Sequence, residues 1–223
     1  RRQRQMCIRD RDKVEASVGA DFVSNYIWRG TDCGGVSIQP SMGVSYKGLS
    51  LAAWGSVGID KEDAREIDLT LGYNTGGFNV SVTDYWFSYH KEDGGYTGDY
   101  FKYGAHSTIH IFEATLGYDF GPLALSWNTY FAGDDYTKEN GDRAYSTYVG
   151  ISAPFKLGGL DWSAEVGLTP WEGAYANKFN VTNLTLKAEK EIKFTNSFSL
   201  PTFAQVTFNP HTQGAYFVFG VSF

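Results

Sequence analysis

The sequence predicts an all-β chain: a single antiparallel, up-and-down transmembrane β-barrel of about twelve strands. Three observations carry this. From Lys13 onward, apolar residues recur at every second position in run after run. The connections between runs alternate between short glycine-centred turns and longer polar loops, the way a membrane barrel joins its strands. The last run, Ala215 to Phe223, sets Ala215, Phe217, Phe219, Val221 and Phe223 on one face and Tyr216, Gly220 and Ser222 on the other. An open edge this aromatic recruits other strands, whereas a strand that closes a barrel against the first strand has no such edge.

Composition bounds the alternatives. Aromatic residues make up 17% of the 223 residues, and 26 glycines accompany only 6 prolines, a balance that favours strands and tight turns. Hydrophobic content is an ordinary 42%, and no run approaches the roughly 18 apolar residues of a transmembrane helix. That excludes a helical membrane protein but not a barrel, whose lipid-facing side chains are diluted by lumen-facing ones. The net charge of −6 gives no support for nucleic acid as a partner. Residues 1–12 are arginine-rich, lack alternation and lack the apolar core of a signal peptide. They read as a non-native or disordered leader, in which Met6 to Arg11 looks like translated sequencing-adapter sequence, and the barrel is assigned to residues 13–223. Cys7 in the leader and Cys33 in a glycine-rich loop provide no disulfide framework.

Each run follows from its alternation. The first, Val14 to Trp28, puts Val14, Val18, Phe22, Tyr26 and Trp28 outward and Glu15, Asp21 and Asn25 inward. Ile38 to Tyr46 is the second; Lys47-Gly48 turns it into the third, Leu49 to Ile59. The fourth sets Ile67, Leu69, Leu71 and Tyr73 against Glu66, Asp68 and Thr70, and Gly76-Gly77 leads to the fifth, Phe78 to Trp86. Phe112 to Tyr118 and Leu123 to Phe131 are the sixth and seventh, joined at Gly121-Pro122. The eighth and ninth, Tyr145 to Phe155 and Leu160 to Leu168, are joined near Gly158. The tenth is centred on Leu184 to Ala188, with a short turn near Asn196. The eleventh, near Phe198 to Phe208, is less regular because Pro201 and Phe203 fall on the inward parity, and Ala215 to Phe223 is the twelfth. Outward aromatics gather at both ends of the runs, with Trp28, Trp86, Phe131 and Tyr145 by the long loops and Tyr46, Tyr73, Phe155 and Trp162 by the turns. Two such girdles are expected where rings sit at headgroup level.

The stretch Phe22-Val23-Ser24-Asn25-Tyr26-Ile27-Trp28-Arg29-Gly30 resembles the opening of the TorF-type porins, and Gln39-Pro40, Lys47-Gly48-Leu49, Ala53-Trp54-Gly55-Ser56 and Glu66-Ile67-Asp68-Leu69 extend the resemblance over roughly residues 22 to 90. Cys33 and the extra glycines depart from the family pattern. The terminal strand ending on Phe223 likewise resembles the C-terminal signature of bacterial outer-membrane barrels, which implies recognition by the barrel assembly machinery. These resemblances imply an outer-membrane location, with outer-membrane lipids and small polar solutes as partners.

The inward parity supplies the candidate pore-lining residues: the acids Glu15, Asp21, Asp68, Glu113, Glu165 and Glu189, the base Lys187, and the aromatics Trp54, Tyr85 and Tyr130. An acidic lining favours cations or neutral solutes by fixed-charge exclusion. The same residues serve equally to solvate a filled interior, since about twelve strands enclose a narrow lumen. Arg29 ends the first run on the inward parity, where it either opposes the acidic wall at the mouth or forms an ion pair with Asp21 or Asp60. No catalytic or metal constellation is evident: His106 and His110, four apart on a strand, lie roughly 13 Å from each other, and Asp134, Asp135 and Glu139 to Asp142 lack the ligand order of a calcium loop. No cofactor is implied. The expected function is passive diffusion of small polar solutes, with a filled-lumen structural or binding barrel, or a barrel enzyme, as the alternatives.

Overall fold

The computed structural model describes residues 13–91, 95–195 and 198–223; the leader and the turn residue Asn196 lie outside them. The described residues form fourteen strands: β1 (Glu15–Val23), β2 (Tyr26–Trp28), β3 (Thr31–Gly34), β4 (Ser37–Tyr46), β5 (Leu49–Gly58), β6 (Arg65–Thr75), β7 (Phe78–Ser88), β8 (Ile111–Asp119), β9 (Ala124–Gly133), β10 (Thr147–Leu157), β11 (Leu160–Thr169), β12 (Asn180–Lys193), β13 (Ser199–Asn209) and β14 (Gly214–Ser222). Twelve of them, β1 and β4 to β14, close into an antiparallel barrel, while β2 and β3 make a separate two-stranded hairpin.

The short turns follow from local backbone chemistry. Lys47 and Gly48 both have positive φ, 50° and 88°, the twist that a two-residue hairpin needs to match the right-handed twist of its strands. Gly76-Gly77 and Gly158-Gly159 repeat the arrangement. On the opposite rim the connections are long, except for the last. Pro210 to Gln213 joins β13 to β14 tightly because Asn209 Oδ1 accepts hydrogen bonds from the backbone N–H of both His211 and Thr212. The expected strict alternation of turn and loop lengths therefore fails at that connection.

The two faces of the wall are inverted relative to a water-soluble barrel. The most deeply buried side chains are polar, among them Glu113, Thr147, Thr169 and Thr207. The outward parity carries the apolar residues, with Val18 84% and Phe217 69% exposed. Contiguous apolar surface on this scale marks a face that meets something other than water. Aromatic pairs sit at its turn-side edge, where Phe155 and Trp162 stack at 6.1 Å and Tyr118 meets Phe120 at 4.6 Å.

Two departures from the sequence reading involve the first run. It ends at Val23 rather than Trp28, because the chain bends at Ser24-Asn25 and leaves the wall. Closure with the last strand is correspondingly short: β1 pairs with β14 only from Asp21↔Ser222 to Val23↔Gly220, extended by bonds between Ala20 and Phe223 and between Ser24 and Phe219. Along its other edge β1 pairs with β4 over its whole length, Glu15↔Ser45 to Val23↔Ser37.

The loop between β7 and β8 doubles back over the outer wall. Tyr100 packs on the outward Trp86 at 5.4 Å, and His110, wholly buried, holds the segment there. Its Nδ1 lies 2.7 Å from Asp84 Oδ1 and its Nε2 lies 2.7 Å from the Tyr100 carbonyl. Both ring nitrogens are thereby occupied. His110 ties a loop to the wall, and His106 is not part of the arrangement.

Candidate functional site

The chain that leaves the wall at Ser24 enters the lumen. β2 and β3 pair from Tyr26↔Gly34 to Trp28↔Thr31, with Arg29 and Gly30 at the tip. Arg29 has φ 51° and Gly30 has φ 81°. A left-handed arginine is uncommon, and here it turns the side chain across the barrel. Gly30 is required for a second reason: a Cβ at this position would lie 1.9 Å from the Thr182 carbonyl of β12. Its own carbonyl accepts a hydrogen bond from Asn209 Nδ2 at 3.0 Å. The tip is thus seated against the β12–β13 wall while its guanidinium reaches the opposite side.

That guanidinium grips Glu113 of β8 through two hydrogen bonds, Nη1 to Oε2 at 2.5 Å and Nη2 to Oε1 at 2.9 Å. Nη1 also donates to the Tyr175 hydroxyl at 2.6 Å, and that hydroxyl donates to Tyr130 at 3.0 Å. Tyr85 donates to Glu113 Oε1 at 2.9 Å. The cation lies over the rings of Trp28 (4.3 Å) and Tyr148 (4.7 Å). A planar fork paired with a carboxylate and flanked by aromatic faces is the setting that arginine fills and lysine cannot. Glu113 is only 1% exposed, so the pair is buried inside the barrel. Burial alone would weaken proton binding by the guanidinium, but Tyr175 and Glu113 more than offset it and hold Arg29 well above its ordinary value. Tyr175, also buried, is pushed up to about 12.

Other lumen residues, several of them predicted from the sequence, fall around this pair. Tyr148, hydrogen-bonded to Glu165 Oε1 at 2.6 Å, continues the network into β11. Asp68 and Trp54 face each other across β6 and β5, and Trp54 packs on Tyr26 of the hairpin at 5.5 Å. Lys187 pairs with Glu189 at 2.9 Å and lies over the Phe203 ring at 4.1 Å, away from the hairpin. Glu15 and Asp21 stand on β1, opposite Ser45 and Gln39 of β4. Arg29, Tyr85, Glu113, Tyr130 and Glu165 therefore share one network, and Trp54 and Asp68 line its flank through Tyr26. Glu15, Asp21, Lys187 and Glu189 lie outside it.

Three readings are corrected. Arg29 pairs with Glu113, not with Asp21 or Asp60, because the hairpin carries it inward past the first strand. Trp28 and Tyr26, assigned to the outward parity, lie in the lumen for the same reason. Tyr145 precedes β10 in a positive-φ turn and is not a strand residue. Sequence reasoning missed Tyr175, which comes from the loop between β11 and β12 with no periodicity to place it.

Cys33 on β3 offers a direct probe of the hairpin. Burial, and then the Glu66 charge, push its thiol up to about 12, with a backbone hydrogen bond at Trp28 acting the other way. Since the thiolate is the nucleophile, iodoacetamide should alkylate Cys33 slowly in the folded protein at pH 8 and fast after denaturation, with the folded-state rate rising as pH climbs toward 12. Peptide mass spectrometry separates it from Cys7. Rapid labelling of the folded chain at pH 8 would mean the hairpin is not docked.

No protein-family model matches the chain, and no curated protein matches it. Among solved structures it is similar to BamA from Haemophilus ducreyi lacking POTRA domains 1–3, with a TM-score of 0.41 and 11% identity over 88% of this chain and 41% of that one. The chain thus spans about two fifths of that protein's length. Fold and site together define a closed twelve-stranded barrel with a polar lumen and an apolar outer wall, crossed internally by its own first connection.

Proposed function

We propose that the protein is an outer-membrane β-barrel of the porin type, a narrow channel for passive diffusion of small polar solutes whose constriction is its own inward-folded hairpin. The observation that carries this is the inversion of the wall, with apolar side chains outward and hydroxyl, amide and carboxyl groups inward. A bilayer accepts such an exterior, and water fills such an interior. The TorF-type resemblance of residues 22 to 90 points the same way. Glu15 and Asp21, on the inward parity of β1, give the path a mild preference for cations over anions. β14, with Phe217 and Phe219 outward, fits engagement by the assembly machinery during insertion.

A second reading, a barrel with a filled lumen and no conductance, is favoured by the near-complete burial of Glu113. Planar-bilayer recording separates the two. The channel reading expects small, cation-preferring unit conductance from the wild type. Silence from both the wild type and a variant lacking the Arg29 side chain, in correctly folded protein, would overturn it in favour of the filled barrel.

A further inference from the structure

On the turn side of the hairpin the lumen widens into a cavity of about 340 Å³. Trp28 and Arg29 roof it, and Asn128, Asn183, Thr185, Gln205 and Thr207 are on its wall. We propose that this chamber is a binding subsite for a neutral, polyhydroxylated solute of the carbohydrate class; its role as a station on a diffusion path rests on the channel reading above.

Charge is the first argument. Arg29 is the one cation among the lining residues, and Glu113 already neutralises its charge through a bidentate pair. Glu165 is the one carboxylate among them, and its Oε1 already accepts from Tyr148 at 2.6 Å and from Asn183 Nδ2 at 3.0 Å. An anion meets the Glu165 charge with no uncommitted cation to offset it. The Arg29 guanidinium already lies over Trp28 and Tyr148 and so takes a face of each ring that an organic cation would use.

The hydrogen-bonding surface is the second. Thr185 and Thr207 share a bond at 2.8 Å across β12 and β13, and Gln205 Nε2 donates to Thr207 at 3.0 Å. Thr207 and Asn128 are buried behind this layer, while the half-buried Thr185 and Gln205 present a hydroxyl and a primary amide, groups that both donate and accept and that suit a hydroxylated solute with no charge to desolvate. The volume lies at the low end of the roughly 300–1,000 Å³ of small-molecule pockets, suited to a mono- or disaccharide.

The test is saturation-transfer NMR on the folded barrel in a non-glycosidic detergent, with glucose, choline and gluconate as probes. Glucose should receive saturation and the two ions should not. The Gln205→Leu/Thr185→Val double variant, its folding checked by heat-modifiable gel mobility, should weaken glucose binding by about tenfold through loss of two uncharged hydrogen-bonding groups. Thr185→Val alone, nearly isosteric, carries the test should the double variant not fold. Preference for choline or gluconate, absence of binding by any probe, or glucose binding unchanged in the folded variant would overturn the proposal. Glucose binding with no bilayer conductance from either the wild type or a variant lacking the Arg29 side chain supports the chamber and overturns the channel reading; conductance without glucose binding does the reverse.

Discussion

Replacing Arg29 with alanine should raise unit conductance several-fold over the wild type. The substitution removes the group that spans the lumen and leaves Glu113 without its cation. In a dry interior, an acid stripped of its partner costs about 3–5 kcal/mol. Here the gap left by the guanidinium admits water to Glu113, which offsets part of that cost and is itself the opening of the path. Arg29→Lys should fall between the two, since an ammonium supplies charge but neither the bidentate grip on Glu113 nor the flat stack between Trp28 and Tyr148. Selectivity should also move toward cations in Arg29→Ala, because Glu113 then faces the lumen unneutralised. Equal conductance for wild type and Arg29→Ala would show that the pair does not set the constriction.

Gly30→Val should have a comparable effect by a different route. It leaves every charged group in place but forbids the seat of the hairpin. A Cβ would sit 1.9 Å from the Thr182 carbonyl, and a β-branched residue at φ 81° is strained wherever it is placed. The backbone of β12 belongs to the wall and cannot withdraw, so the tip must. We expect the hairpin to undock, with loss of the Asn209 to Gly30 hydrogen bond, a rise in conductance, and faster alkylation of Cys33 at pH 8. The barrel should persist, since β2 and β3 form no part of the closed sheet, and heat-modifiable mobility should be unchanged. A variant that fails to form the barrel at all would show instead that hairpin docking is needed for closure.

Why the wall was legible in the sequence and the plug was not can be seen at Ser24-Asn25. Period-two alternation and turn chemistry are local properties, and Lys47-Gly48 or Gly76-Gly77 specify their hairpins regardless of what surrounds them. Tyr26 and Trp28 keep the same parity as Val14 to Phe22, so the pattern runs on smoothly through the point where the chain leaves the sheet. Only tertiary contacts mark the departure, among them the bond from the Phe219 N–H to Ser24 Oγ at 2.9 Å. Parity placed Glu113, Glu165, Tyr85 and Tyr130 inside because they belong to the wall. It could not pair Glu113 with Arg29, 84 positions away, or bring in Tyr175 from a loop. The short final connection escaped for a related reason, since Asn209 caps it with a side chain that carries no periodic signal.

The most direct test of the hairpin as the constriction is a charge exchange across the lumen, recorded in planar bilayers. Arg29→Glu and Glu113→Arg, each alone, place like charges face to face at the tip of the hairpin and should both conduct more than the wild type. The double variant Arg29→Glu/Glu113→Arg restores opposite charges at the same two positions and should return conductance toward the wild-type level. Single variants indistinguishable from wild type, or a double variant as open as the singles, would contradict a lumen narrowed by this pair.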